Sequence, residues 1–181
     1  MYLCTQNRKD TKNMKKIIYL LALVLAVSIS TCADAQVKKL LQANSFTLEY
    51  DASKWEVEPV DAGVQGVIDV FALFHTPLSE MISIAVYESN APAHLFLQKQ
   101  IEDRTGLLEG ALIGGEIDNA TCWGQTVYFV NFGRELSGTV YVGTAVVGNV
   151  NGHVVYAAGI TSDPEEREYL DVISAIQFKK Q

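Results

Sequence analysis

The dipeptide Asn151-Gly152 constrains this chain more than any other pair of residues. Asn and Gly tolerate positive φ, and a two-residue loop that needs positive φ at both positions is a type I′ turn, whose twist matches the strands it joins. Val140, Tyr141, Val142, Val146 and Val147 precede it, and Val154, Val155, Tyr156 and Ile160 follow. A loop of two residues also fixes the pairing: Val150 should face His153, Val147 should face Tyr156, Ala145 should face Ala158, and Thr144 should face Gly159. Small side chains therefore line the middle of the hairpin. A helix is expected to pack there, with a ligand groove over the same residues as the functional alternative. The whole run from Thr126 to Thr161 reads as the centre of an antiparallel sheet.

Upstream, Met14-Lys15-Lys16 and the apolar run Ile17 to Val27 form the n-region and h-region of a secretory signal peptide, and Ala33-Asp34-Ala35 supplies the small residues a signal peptidase reads. Residues 14–35 are expected to be removed before Gln36. The apolar run is shorter than the roughly 20 residues a bilayer span requires. Met1 to Asn13 is polar, has no place in such a leader, and is read as an over-called N-terminus. Cys32 offers a competing reading as a lipidation site, although Ile29-Ser30-Thr31 matches a lipoprotein box poorly. The product is expected in the periplasm or outside the cell, and on a membrane only if Cys32 is lipidated.

From Gln36 onward nine Lys and Arg stand against nineteen Asp and Glu, a net charge of −10. Such a surface repels nucleic acid and anionic headgroups and keeps a secreted protein in solution. Cys122 is the cysteine left in this part, so no internal disulfide can form; beside Trp123 it reads as a buried, inert thiol. Residues 36–181 are enough for one domain with a full core.

Val37 to Asn44 is expected to be a helical turn or a tether. Phe46, Leu48 and Tyr50 alternate with polar residues, and Trp55-Glu56-Val57-Glu58 alternates again after Asp51-Ala52-Ser53, so a first hairpin is expected. Val67 to Phe74 reads as a strand covered on both faces and Met81 to Tyr87 as another. A helix is predicted from Pro92 to Thr105, with Leu97 and Ile101 on its apolar side. Leu112-Ile113 and Glu116 to Asp118 read as a weak strand, and Asn119-Ala120-Thr121 as a turn and a chance match to a glycosylation acceptor. A closing helix is predicted with Asp163 as cap, Pro164 at its first position and Glu166 three residues after the cap. Its stripe of Tyr169, Val172, Ile173 and Ile176 is the natural partner for the small-residue patch. Gln177-Phe178 could add a last β contact.

The sequence carries no phosphate-binding glycine loop, no G-x-S-x-G elbow, no H-E-x-x-H, no paired C-x-x-C and no calcium loop. His75, His94 and His153 are scattered without ligand spacing; His75, near Asp69 and Glu80, is the least improbable metal or catalytic candidate. Trp55 and Trp123 flank strands and read as core or core edge. No catalytic, cofactor-binding or metal residue is assigned, and no cofactor is expected.

The order of elements resembles the PsbP-like superfamily, which includes the photosystem extrinsic subunit, the Ran-binding Mog protein and periplasmic proteins of the DcrB type. The resemblance rests on Phe46-x-Leu48-x-Tyr50, a short turn to Trp55, antiparallel strands, a middle helix, the Asn-Gly hairpin and a closing helix ending in Ser174-Ala175-Ile176-Gln177-Phe178. Asp51-Ala52-Ser53-Lys54-Trp55 stands where Pro-x-Gly-Trp is usual. The resemblance implies an α+β domain built as an α/β/α sandwich, with a mainly antiparallel sheet and helices on both faces, used for binding or assembly instead of catalysis. The expected function is that of an exported, non-enzymatic envelope protein with a protein partner. The alternative is a small-ligand or metal-dependent activity in a cleft at the sheet.

Overall fold

The computed structural model describes residues 37–61, 65–75 and 79–179, which belong to one compact unit, Val37–Gln181. The expected leader, the polar residues before it and Cys32 lie outside the described residues.

Two antiparallel sheets carry the fold. The larger runs in the order β3 (Trp55–Pro59), β4 (Val67–His75), β5 (Glu80–Tyr87), β10 (His153–Thr161), β9 (Thr139–Val150), β8 (Gln125–Leu136) and β6 (Leu112–Ile113), and β7 (Asp118–Cys122) also pairs with β8. The smaller contains β1 (Lys38–Gln42), β2 (Phe46–Asp51) and β11 (Gln177–Phe178). Among the described residues the helices are α1 (Ala93–Asp103) and α2 (Glu168–Ser174), with a 3-10 turn at Gly106–Leu108.

The hairpin register follows the expectation: Val150 pairs with His153, Val147 with Tyr156, Ala145 with Ala158 and Thr144 with Gly159. The Asn151-Gly152 turn has φ of 51° and 77°, and two further loops repeat it, Trp123-Gly124 at 55° and 73° and Ser137-Gly138 at 50° and 81°. Positive φ at both loop positions is the type I′ signature, so β7 to β10 form one meander stitched by three such turns, the turn residues recurring every fourteen positions.

Successive side chains on a strand point to opposite faces, so the two small-residue pairs of the hairpin serve different neighbours. Ala145 and Ala158 face a core that contains Ala93 and Leu97 of α1, Leu108 and Ala111. On the other face Tyr169 and Ile173 of α2 pack with Ala157, Val155, Ile84 and with Phe46 and Leu48 of the small sheet. Both helix starts are satisfied from strands. Asn149 of β9 accepts the Ala93 amide at 2.9 Å and donates to the Ala91 carbonyl at 2.9 Å, while Glu80 of β5 accepts the Glu168 amide at 3.1 Å.

Several expectations are corrected. Val37 to Asn44 is largely strand β1, paired with β2 from Lys38↔Asp51 to Gln42↔Thr47. The segments around Phe46 and Trp55 do not form a hairpin, because β2 pairs with β1 and β11 while β3 pairs with β4. Asp51 Oδ1 accepts both the amide and the hydroxyl of Ser53, a local turn that carries the chain from one sheet to the other. Asn119-Ala120-Thr121 lies in strand β7, and the reversal falls at Trp123-Gly124. Strand β4 is only half-buried along most of its length, since it lies next to the edge strand β3. The closing helix begins at Glu168 instead of Pro164: Asp163 accepts the Glu165 amide in a separate turn, and the helix forms where the Glu80 carboxylate can take its first amide. The fold is therefore sheet-dominated. One face carries α1, but the opposite face is covered mostly by the small sheet and only in part by the seven-residue α2, which departs from a full α/β/α sandwich.

Candidate functional site

Three places gather polar chemistry. In the first, the His75 ring joins two elements: Nδ1 lies 3.1 Å from the Ser79 hydroxyl and Nε2 lies 3.4 Å from Glu168 Oε2. Lys54 pairs with the other oxygen of Glu168, and Trp55 meets the imidazole edge-on at 5.1 Å between ring centroids. The expected neighbours of His75 are only partly present. Asp69 is engaged elsewhere, and Glu80 meets Glu168 through its backbone amide. Burial pushes the Glu80 carboxyl up, against the backbone donors of Glu168 and Tyr169 that favour its charged form. The cluster ties β4, the segment before β5 and the start of α2 together.

The second place surrounds Asp69, 6% exposed on β4. Its carboxylate accepts the amide and side-chain amide of Asn44 at 3.1 and 2.8 Å and the amide of Ser45 at 2.8 Å, together with the Ser45 hydroxyl. Burial alone would raise this carboxyl, yet the four donors hold it below its ordinary value. The result is a clasp between the β1–β2 turn and the large sheet. A cleft of about 350 Å³ opens beside it, lined by Asn44, Ser45, Asn151, His153, Phe178 and Lys179 among others. A further cleft of about 350 Å³ lies by the β2–β3 connection, at Lys39, Tyr50, Trp55 and Glu56.

The third place follows from the shortness of α2. Seven residues cannot cover four strands, so the face beyond Gly159 and Thr144 stays open over β9, β8 and β7. The cleft holds about 370 Å³, within the size range of small-ligand pockets. Its floor is Val127, Phe129 and Val146; Ala120 and Cys122 form one wall, and Leu170, Ile173 and Ser174 of α2 form the other. At one end Thr144 donates to Asn131 Oδ1 at 2.9 Å and lies 3.2 Å from the Tyr169 hydroxyl, and Arg167 stands at that end beside Tyr169. At the other end the Trp123 indole donates to the Ile173 carbonyl at 2.9 Å, which pins the C-terminal end of α2 over the β7–β8 turn. Burial pushes the Cys122 thiol up, so the half-buried sulfur is kept protonated and contributes apolar surface.

Sequence reasoning expected a helix over the small residues of the hairpin, with a groove there as the alternative; Tyr169 of α2 fills the space above Gly159, and the cleft opens one strand further along. It missed Arg167, Asn131 and Phe129 as members of one surface. The alternation in β8 and β9 could have joined Phe129 and Asn131 to Val146 and Thr144 once the Asn-Gly register was extended across the Ser137-Gly138 turn. The three histidines are not brought together: His75 pairs with Ser79 and Glu168, His94 lies against the Tyr128 ring at 5.4 Å, and His153 lines the cleft beside Asp69. Among the described residues no group of three His, Cys, Asp or Glu side chains could hold a metal ion.

Fold and cleft together define an antiparallel-sheet domain with an apolar recess beside a short helix. No family model and no curated protein matches the chain. A protein from Bacteroides thetaiotaomicron VPI-5482, with a crystal structure at 1.50 Å, is similar in structure at 12% identity and a TM-score of 0.51, covering 80% of this chain and 48% of its own. The present chain thus spans about half the length of that protein, and the likeness concerns the fold alone. PA94 of Pseudomonas aeruginosa, a protein of unknown function, is similar at 14% identity and a TM-score of 0.40, covering 74% of this chain and 88% of its own. LpqN of Mycobacterium tuberculosis, involved in cell envelope biogenesis, is similar at 14% identity and a TM-score of 0.39, covering 70% and 92%. Among the described residues no helix is long and apolar enough to cross a membrane.

Proposed function

We propose that the chain is an exported, non-enzymatic binding protein of the bacterial cell envelope, with a PsbP-like domain whose working surface is the cleft between α2 and strands β7 to β9. The observation that carries this reading is the cleft lining. Apolar side chains form its floor and walls, and its polar members, Asn131, Thr144, Ser174 and Arg167, are suited to holding a partner or ligand in orientation. Export rests on the n-region at Lys15-Lys16, the run Ile17 to Val27 and the small residues Ala33 and Ala35. The PsbP-like assignment is supported by the order of elements, with the Phe46-x-Leu48-x-Tyr50 strand in the small sheet and α2 leading into Gln177-Phe178.

Ala120 is exposed on β7 and opposite Val127, so a large side chain there projects into the cleft without entering the core. Mature protein and Ala120→Trp, each cross-linked in envelope extracts and recovered by an affinity tag, should differ. The expected result is an envelope component captured by the wild type and lost with the variant at unchanged thermal stability. Recovery of the same components by both forms, or of none, overturns the reading.

A further inference from the structure

The cleft has a direction. Strand register places Asn131 beside Thr144 at one end, Phe129 beside Val146 in the middle and Val127 beside Gly148 at the other, and α2 runs alongside from Arg167 to Ser174. Polar groups gather at the first end: Arg167, Asn131, Thr144 and the Tyr169 hydroxyl bonded to it. Along the rest of the length the lining is apolar apart from Ser174 at the C-terminal end of α2. From Asn131 to Val127 is four strand residues, about 13 Å at the usual rise.

The charge pattern is equally one-sided. In a chain with 21 Asp and Glu and 14 Lys and Arg, the charged side chain in this lining is Arg167, and no carboxylate lines it. Glu165, Glu166 and Glu168 are its neighbours in sequence, yet among the described residues the ion pairs are Lys38 with Glu49, Lys54 with Glu168, His75 with Glu168 and Lys99 with Asp103. Arg167 Nε donates to the Pro164 carbonyl at 3.3 Å, which leaves the terminal nitrogens of the guanidinium fork for an incoming anion.

Resting on the reading of this cleft as the working surface, we infer that it takes an amphiphilic carboxylate, the anionic head held by Arg167 with Asn131 at the polar end and a medium-length hydrocarbon tail laid over Phe129, Val146 and Val127. A guanidinium suits a carboxylate because two parallel N–H donors match its two oxygens, and burial of the tail supplies most of the driving force. The neutral analogue cannot make the paired, charge-assisted head contact, and discrimination against it follows from that loss.

Decanoate and decanol, titrated calorimetrically below the concentrations at which they self-associate, test this directly. Saturable one-to-one binding of decanoate is expected, at least tenfold tighter than that of decanol, and weakened at least tenfold by Arg167→Gln. Ala120→Trp should abolish it. Urea midpoints of both variants at the wild-type value show that the fold is intact, and a second filling variant on the helix, Ser174→Trp, replaces Ala120→Trp if that one unfolds. Absence of saturable decanoate binding, equal affinity for decanol, or binding undiminished in the filled variant overturns the inference. If decanoate fails while the wild type still captures an envelope component that Ala120→Trp loses, the ligand class falls and the cleft remains the working surface.

Discussion

The ring of Tyr169 occupies the space that the missing side chain of Gly159 leaves: a Cβ built on Gly159 would lie 2.2 Å from Tyr169 Cδ2 and 2.7 Å from Cγ. Gly159 has ordinary strand φ, so backbone strain plays no part and any added atom acts through overlap alone. Tyr169 is fully buried, and its hydroxyl is anchored on Thr144 across the sheet, so it cannot move aside freely. Gly159→Ala is expected to lower stability by about 1–3 kcal/mol, as overpacking of a filled core does. Urea unfolding measures it, and Gly159→Ala should cost less in a Tyr169→Ala background, where Cγ and Cδ2 are gone, than in the wild type if the clash is the cause.

Asp69 should control the attachment of the small sheet. Asp69→Asn keeps the shape but replaces a charged acceptor of four hydrogen bonds, an expected loss of about 2–3 kcal/mol at neutral pH. The sign with pH is set by the lowered carboxyl. Stability from the charged form is present above the unfolded value, 3.8, and is lost as pH falls through the lower folded value. The difference between wild type and Asp69→Asn should therefore shrink in strong acid. A gap that stays constant from neutral pH to below pH 3 contradicts the clasp.

Glu80 should behave in the opposite sense. Its carboxyl is raised by burial, so the contribution of the protonated form is complete below the unfolded value, 4.5, and is lost as pH rises through the folded value. Glu80→Gln retains an acceptor for the Glu168 amide and removes the charge. Its stability relative to wild type should improve as pH goes from 4 to 7. Glu80→Ala removes the cap and should cost about 1–2 kcal/mol at pH 4, as loss of a helix cap does. Thermal melts at the two pH values separate the effects.

The three type I′ turns differ in how well their first residue suits positive φ. Ser137 carries φ of 50° and Asn151 φ of 51°, yet Asn adopts this region far more readily than Ser. Ser137→Asn is expected to raise stability by several tenths of a kcal/mol up to about 1, and Gly152→Ala to lower it by about 1–2 kcal/mol. Denaturant midpoints at equal m-value report both.

Where a feature depended on local chemistry, the sequence carried it. The Asn151-Gly152 register, the helix after Pro92 and the burial of Tyr169 and Ile173 follow from turn residues and periodicity. What escaped was decided by partners remote in the chain. Trp55 looks like the return strand of a hairpin from Phe46, because alternation says which face is apolar and nothing about which sheet it joins. The helix start moved from Pro164 to Glu168 because an acceptor on Glu80, far back in the sequence, outweighed the local cap at Asp163. The cleft was half legible: small residues at mid-hairpin foretold a close approach, but the length of α2 decided how much of the face stayed open.

The pairing of Gln177 with Thr47 and of Phe178 with Phe46 joins strands from opposite ends of the described chain. A chain emerging from the ribosome can close the β7 to β10 meander from neighbouring residues, but β2 waits for its last partner until Gln177 and Phe178 have been made. Until then Phe46 and Leu48 lack the cover that α2 and β11 provide, and that interval is the one in which a chaperone would find an apolar strand to hold.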